Sequence, residues 1–427
     1  MTKKTVLTGI TTSGTPHIGN YLGAIKPAIE ASKSEHNNPF FFLADYHALI
    51  KCHDPARVAQ SSREIAATWL ALGLDTDKAT FYRQTDIPEI TELSWILTCM
   101  TSKGLMNRAH AYKASVDQNR DAGKEDLDDG ITMGLFSYPV LMAADILMFN
   151  ADLVPVGKDQ IQHIEMARDI AGRFNHTYEP LFHMPEALVE ESTQLIPGLD
   201  GRKMSKSYDN TIPLFCSSDE LRKLINQIVT DVKMPGEPKD PDNSTLFQLY
   251  SLFATDAEAG AMRQKYLEGI GWGDAKKELF EFLDATLSGP RARYNEYMND
   301  LGEVERILQK GGEKARAISV PFMEKVRIAA GIRPLNYVPQ ATQTEQKDKK
   351  EESEDAKARA EEGRRRAILM QLKPIFDRID AAADKAKEAA VVLEEKRDEV
   401  EQLKKKAKQK AQNELDILKD EFKKFFD

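Results

Sequence analysis

Cysteine is nearly absent. The 427 residues hold three, Cys52, Cys99 and Cys216, far apart and never in a C-x-x-C pair. This argues against a disulfide framework or a cysteine-built zinc cluster and fits a reducing cytoplasm. No apolar run approaches the roughly 18 residues that would cross a bilayer, so no membrane association is expected. The first residues, M-T-K-K-T-V-L-T-G-I, have too short an apolar stretch for a signal peptide and read as a first strand. Positive charge is not in excess either. A net charge of −9 argues against non-specific coating of nucleic acid, although a local basic face remains open. From Thr344 onward there are 22 Lys+Arg and 22 Asp+Glu, so the whole imbalance belongs to residues 1–343.

Two familiar phosphate motifs are missing as well. A Walker A loop needs G-x-x-x-x-G-K-[ST], and here Ser205 stands where its second glycine should be. No G-x-G-x-x-G follows the first strand, which weakens a dehydrogenase. What is present is G-R-K-M-S-K-S, Gly201 to Ser207. Lys203 and Lys206 sit beside the hydroxyls of Ser205 and Ser207 on a turn-rich loop, chemistry suited to a polyphosphate whose charge is changing. A solvated basic loop is the plainer alternative. Gly198, Gly201 and Asn210 flank it with residues that would let it move.

At this length two or three units are expected. Val6-Leu7-Thr8-Gly9-Ile10, Pro39 to Asp45, Ala79 to Arg83 and the stretch beginning at Leu153 read as buried strands alternating with helices. The alternation predicts a doubly wound parallel α/β sheet, Rossmann-like, with ligands at the carboxyl ends of its strands. Residues 1–212 form this domain, with a helical insertion at about 89–150 and a polar loop from Ser115 to Gly130. Residues 213–333 read as a separate all-helical domain, with segments breaking at Pro290 and after Gly312. Residues 334–352 read as a linker. Residues 353–427 read as a charged tail whose apolar positions keep a 3–4 spacing, predicting one long helix open to coiled-coil pairing.

Tyr138, Met142 and Asp145 share one face of an apolar helix. A buried carboxylate there must meet a donor, either an arginine of the chain or a ligand group. An indole N–H is a donor only, so such an acceptor suits tryptophan, and Met142 would add a polarisable wall.

His17-Ile18-Gly19-Asn20 follows the first strand and turn. Together with K-M-S-K-S it resembles the paired signatures of class I aminoacyl-tRNA synthetases, with Asn20 where a closing histidine usually stands. A-A-D-I-L at 143–147, V-P-V-G-K-D-Q-x-Q-H at 154–163 and P-G-L-D-G-R-K-M-S-K-S at 197–207 extend the likeness over roughly residues 3–333. Within that class the stretch is similar to the bacterial-type tryptophanyl family. In tyrosyl enzymes the position of Met142 carries glutamine. A nucleotidylyltransferase of the same broad fold shares an H-x-G-H-like turn but would lack the helical tRNA domain.

The resemblance implies ATP with Mg²⁺, L-tryptophan and tRNA(Trp), and a homodimer. It places His17 and Asn20 on the ATP phosphates, Gly19 under the adenine, and Lys203, Lys206 and Lys113 on the leaving pyrophosphate. Thr11, Thr12 and Ser13 would line the phosphate turn; the family often reads G-x-Q-P-S-G where this chain has G-I-T-T-S-G. Gly157, Lys158, Asp159 and Gln160 would hold the nucleotide's ribose side, and Met204, Ser205 and Ser207 its phosphate side. Tyr138, Met142, Asp145, Val154, Val156 and His47 would form the tryptophan pocket. Arg291, Arg293, Arg306, Lys310, Lys314, Arg316, Lys325 and Arg327 would offer cations to tRNA. The tail lies beyond the resemblance. It is a solvated helix, or else a dimer reinforcement, a partner-binding arm or a tRNA contact through Lys404–Lys410.

Overall fold

Asn37–Ala44 reads N-N-P-F-F-F-L-A, and its last six residues are buried. Apolar side chains on both faces suit only a strand covered from both sides. In the computed structural model, which describes residues 3–12, 14–189, 196–337, 362–363, 365–403 and 405–426, this segment is β2 of a five-stranded sheet. Its companions are β1 (Lys4–Thr11), β3 (Thr80–Arg83), β4 (Leu153–Val156) and β5 (Glu186–Val189), all parallel, in the order β3-β2-β1-β4-β5. β5 had no signal in the sequence: four residues, half of them exposed, resemble a loop. Phe40 and Phe42 face one core, with Leu7, Tyr82 and the helices Pro88–Met100, Met133–Met148 and Ile161–Thr177. Phe41 and Leu43 face the other, with Ile65, Trp69, Val304 and Leu308.

The sheet reverses its winding between β1 and β4, and there the pairing is thin. β1 and β2 stay in register from Lys4↔Asn37 to Thr11↔Ala44, whereas β1 and β4 share only Val6↔Leu153. The two strands then diverge, opening a crevice at their carboxyl ends where ligands bind in such folds.

Several local expectations change. Beyond β5 the described residues to 333 form helices and no further strand, and they belong with the sheet to one compact unit, Met1–Arg333. The helix Leu301–Ala329 lies directly against β3, because Gly311 has no side chain: a Cβ there would sit 1.7 Å from the Phe81 carbonyl oxygen. The expected breaks at Pro290 and after Gly312 are absent. Pro290 and Pro321 lie inside the helices Trp272–Asn299 and Leu301–Ala329, their lost hydrogen bonds offset by buried faces such as Leu279, Leu283 and Leu287. The break comes instead at Asp300, which caps the Glu303 N–H. Half of the expected loop at 115–130 is helix, His110–Asp121. It has only one buried residue, Asn119, whose amide donates to the Leu127 and Asp129 carbonyls, so polar bonds hold it where an apolar stripe is lacking.

Replacing Gly311 by alanine improves helix propensity by about 1 kcal/mol, but it drives a methyl into β3. The expected net result is a loss of about 2 kcal/mol or more, read as a lower urea midpoint. An unchanged midpoint would mean that helix and strand are not in contact.

Residues 334–427 form the second compact unit; the expected linker falls mostly outside the described residues. Its tail is not one long helix. Lys373–Asp380, Lys385–Gln402 and Lys405–Phe426 are separate, and Leu403 is extended at φ −91° and ψ 155°. The last two helices pack antiparallel. Val400 meets Ala411 and Leu415, and Ala389 and Val392 meet Leu418 and Phe422. The apolar seam is filled within the chain, and Lys396 beside it pairs with Glu414 at 2.7 Å and Glu399 at 2.8 Å.

Candidate active site

The crevice between β1 and β4 holds a cavity of about 330 Å³. His47, Tyr138, Met142, Asp145, Val154 and Val156 line it, joined by Thr11, Gly157 and Gln160. Apart from Tyr138, Met142 and Asp145, which share the helix Met133–Met148, these residues come from strands and the turns that follow them, which is why the sequence scatters them. Asp145 is 1% exposed, and both its oxygens are engaged. His47 Nε2 lies 2.8 Å from Oδ2, and Gln84 Nε2 donates to Oδ1 at 2.7 Å. Burial raises the Asp145 pKa, and the bonds to His47 and Gln84 work against that rise. The expected partner was an arginine or a ligand; a histidine and an amide hold it here. Tyr138 and Gln160 are tied into the same wall through His163, at 2.9 Å each.

The first turn is a second cluster. Gly14 has φ +130°, and its N–H donates to Ser61 Oγ at 2.7 Å. His17 and Asn20 cap the helix start reciprocally: Asn20 N donates to His17 Nδ1, and His17 N donates to Asn20 Oδ1. An accepting Nδ1 requires neutral imidazole with its proton on Nε2. Burial, and then the Lys206 charge, push the His17 pKa down to about 4, which keeps that neutral form.

The lysine loop folds back onto this turn. Lys206 Nζ would be 3.0 Å from a Cβ on Gly14, so only glycine leaves room. Gly19 N–H points at Met204 Sδ, and Ile18 N donates to the Ile212 carbonyl. Burial and then Arg57 lower the Lys206 pKa, with Glu64 opposing. Lys206, His17, Gly19, Asn20 and Met204 therefore meet. Lys203 does not join them; it is exposed beside Arg202 and Arg263 on a larger cleft of about 870 Å³. Ser205 and Ser207 bond each other at 2.7 Å. Lys113 is exposed on the helix His110–Asp121, and Lys158 on the turn after β4, neither in the cavity lining. Thr12 is wholly buried, its hydroxyl without a partner among the described residues. Ser13 and the Asp159 side chain lie outside the described residues.

Asn210 was expected to loosen the loop and instead ties it. Its Oδ1 accepts from Ser205 N at 2.8 Å, while Nδ2 donates to Asp200 at 2.6 Å and to the Lys203 carbonyl at 3.2 Å. Gln84 and Ser61 escaped the sequence reading altogether. Gln84 alone had a usable signal, a polar residue directly after a strand on the ligand side of the sheet.

With this geometry in view, comparison with known proteins is decisive. Residues 2–288 match the family described as tRNA synthetases class I (W and Y). The chain belongs to the class I tRNA synthetases. Within this family it is 60% identical over 340 residues to tryptophan–tRNA ligase of Pseudomonas putida, covering 79% of this chain and 76% of that one. It is 57% identical to the Neisseria meningitidis enzyme of the same name, covering 78% of this chain and all of that one. The tryptophanyl-tRNA synthetase of Campylobacter jejuni, solved with ADP and tryptophan, superposes with a TM-score of 0.71 at 42% identity, covering 77% of this chain and 99% of that one.

The cations expected to serve tRNA in this synthetase are largely engaged internally. Arg316 meets Glu89 at 2.8 Å, Arg327 meets Glu92 at 2.5 Å and Lys310 meets Asp77 at 3.2 Å. Lys314 donates to the Thr76 carbonyl, Arg293 to the Ala71 carbonyl, Arg291 to Asp284 and Arg306 to Glu303. Lys325 makes no such bond among the described residues. Several of these bonds fasten the late helices to the segment 71–92.

Proposed function

We propose that the chain is a tryptophan–tRNA ligase, which joins L-tryptophan to ATP as tryptophanyl-adenylate with release of pyrophosphate and then passes tryptophan to tRNA(Trp). The observation that carries this reading is Asp145, a buried acceptor in the lining of a cavity that Met142, Val154 and Val156 also line. A phenol can donate too, but the methionine and valines favour the larger apolar indole.

The reaction is attack by the tryptophan carboxylate on the α-phosphate. It needs no protein nucleophile, only alignment and charge stabilisation. Tryptophan held against Asp145 presents its carboxylate toward the first turn. Neutral His17 offers Nε2–H, and Asn20 its amide N–H₂, to phosphate oxygens. Gly19 leaves room for adenine, and Thr11, Gly157 and Gln160 border the space for ribose. Lys206 neutralises the leaving pyrophosphate, and Lys203 and Lys113 serve it from loops that would have to approach. Mg²⁺ would arrive on the ATP phosphates; the described residues contain no group of three His, Cys, Asp or Glu placed to hold a metal.

A homodimer belongs to the reading. Leu49, Trp95 and Met133 are large exposed apolar residues, at or next in sequence to the lining of a cleft of about 410 Å³. No helix among the described residues is long and apolar enough to cross a membrane, which is consistent with work in the cytoplasm.

The test is ATP–pyrophosphate exchange with each amino acid in turn. Tryptophan alone should support it, with or without residues 344–427. Exchange driven by tyrosine would make the chain a tyrosyl enzyme, and adenylyl transfer needing no amino acid would favour a nucleotidylyltransferase.

A further inference from the structure

Gln84 is the first residue after β3, wholly buried, and belongs to no motif. Its amide orientation is fixed by chemistry. The backbone N–H of Tyr46 can only donate, so the atom 3.1 Å from it must be Gln84 Oε1. The other end, Nε2, is thereby turned to Asp145 Oδ1 at 2.7 Å. A flipped amide would set N–H against N–H and oxygen against oxygen. The ends of β2 and β3 are also stitched together beside it, where Asp45 accepts from Thr85 N and Oγ1. The anchor that aims Gln84 is therefore rigid.

We propose that Gln84 is the positioning residue that holds Asp145 in the rotamer and ionised form that accepts the tryptophan indole N–H. The inference rests on the tryptophan-activating reading above. With Gln84 on Oδ1 and His47 on Oδ2, the carboxylate cannot rotate, and each oxygen keeps a lone pair for a ligand donor. Burial of Asp145 favours the neutral acid, which would present a proton where an acceptor is needed; the two donors oppose this. The titratable groups facing Asp145 are His47 from the end of β2 and Tyr82 from β3, with Tyr138 on its own helix bonded to His163. The Tyr82 pKa is raised by burial and then by Asp145, so it stays neutral.

Two substitutions separate this role from simple packing. Gln84→Met keeps the bulk and removes the donor. The tryptophan KM should rise about tenfold at neutral pH, while kcat at saturating tryptophan and the KM for ATP stay within about twofold. Because Asp145 then takes up a proton more readily, that KM should climb further as pH falls. Gln84→Glu should show the opposite slope. Two facing carboxyls bind one proton between them, and the protonated form restores an O–H donor to Asp145, so the tryptophan KM should fall as pH is lowered. Both are measured by pyrophosphate exchange between about pH 6 and pH 8.5, with thermal melts to confirm folding. Opposite slopes, flanking a flatter wild type, are the expected result. Unchanged KM in both variants, or one pH-independent increase shared by both, would overturn the positioning role. If wild type lacks tryptophan-dependent exchange, the substrate reading fails before the variants are considered.

Discussion

Lys206→Ala should lower the rate of adenylate formation by about 10²–10³, the range seen when one preorganised group stabilising a developing charge is removed. The expectation comes from where the side chain lies. Lys206 is brought over Gly14 and lowers the pKa of His17, so its charge already sits in the phosphate turn. Its lowered pKa reflects burial and the Arg57 charge, a site short of negative charge that a pyrophosphate would supply. The tryptophan KM should change little, because Lys206 is not in the cavity lining. Single-turnover formation of the adenylate separates the two quantities. A variant that forms adenylate at the normal rate and only binds tRNA less tightly would show that the lysine serves another partner.

Asp145→Ala should raise the tryptophan KM by about 10² or more, since the site then offers the indole N–H no acceptor. It should also cost stability. His47 and Gln84 would both be left pointing at a void, and a buried donor without a partner costs about 1–3 kcal/mol. The protein should still fold, with a lower melting temperature. Asp145→Asn is the sharper control. One carbonyl cannot serve two donors and an indole, so tryptophan binding should suffer almost as much with little loss of volume. Unchanged exchange kinetics in both variants would remove Asp145 from substrate recognition.

The parts legible in sequence were those with a strong local period or a fixed motif. β1 to β4 announced themselves by apolar runs, nearly continuous in the buried β2 and β3 and shorter in the part-exposed β1 and β4. His17–Asn20, K-M-S-K-S and the Tyr138–Asp145 face were readable because each lies within one short segment. β5 was not, being four half-exposed residues. Gln84 and Ser61 were not, because each acts through side-chain hydrogen bonds to residues far away in sequence. Asn210 was misread because turn propensity describes an isolated residue, whereas its buried amide fills three bonds. The internal pairing of the cations of 291–327 was hidden for a related reason. Charge density is visible in sequence, but the acids at Asp77, Glu89 and Glu92 that absorb much of it lie more than two hundred residues earlier. The tail followed its apolar spacing faithfully and still folded back, since the extended backbone at Leu403 falls within a lysine-rich run that spacing alone treats as helix.

β3 is an outermost strand of the sheet, and a bare outer strand is a template on which another chain can pair. The backbone of Gly311 lies against the Phe81 carbonyl, and Arg83 is held by Glu305 of the same helix at 2.8 Å. The helix therefore acts as a guard rail as well as ballast, shielding that rim from strand-to-strand stacking between molecules. Loosening it would threaten solubility before it touched the chemistry, and during synthesis the rim stays unguarded until the ribosome has delivered residues some 220 positions downstream.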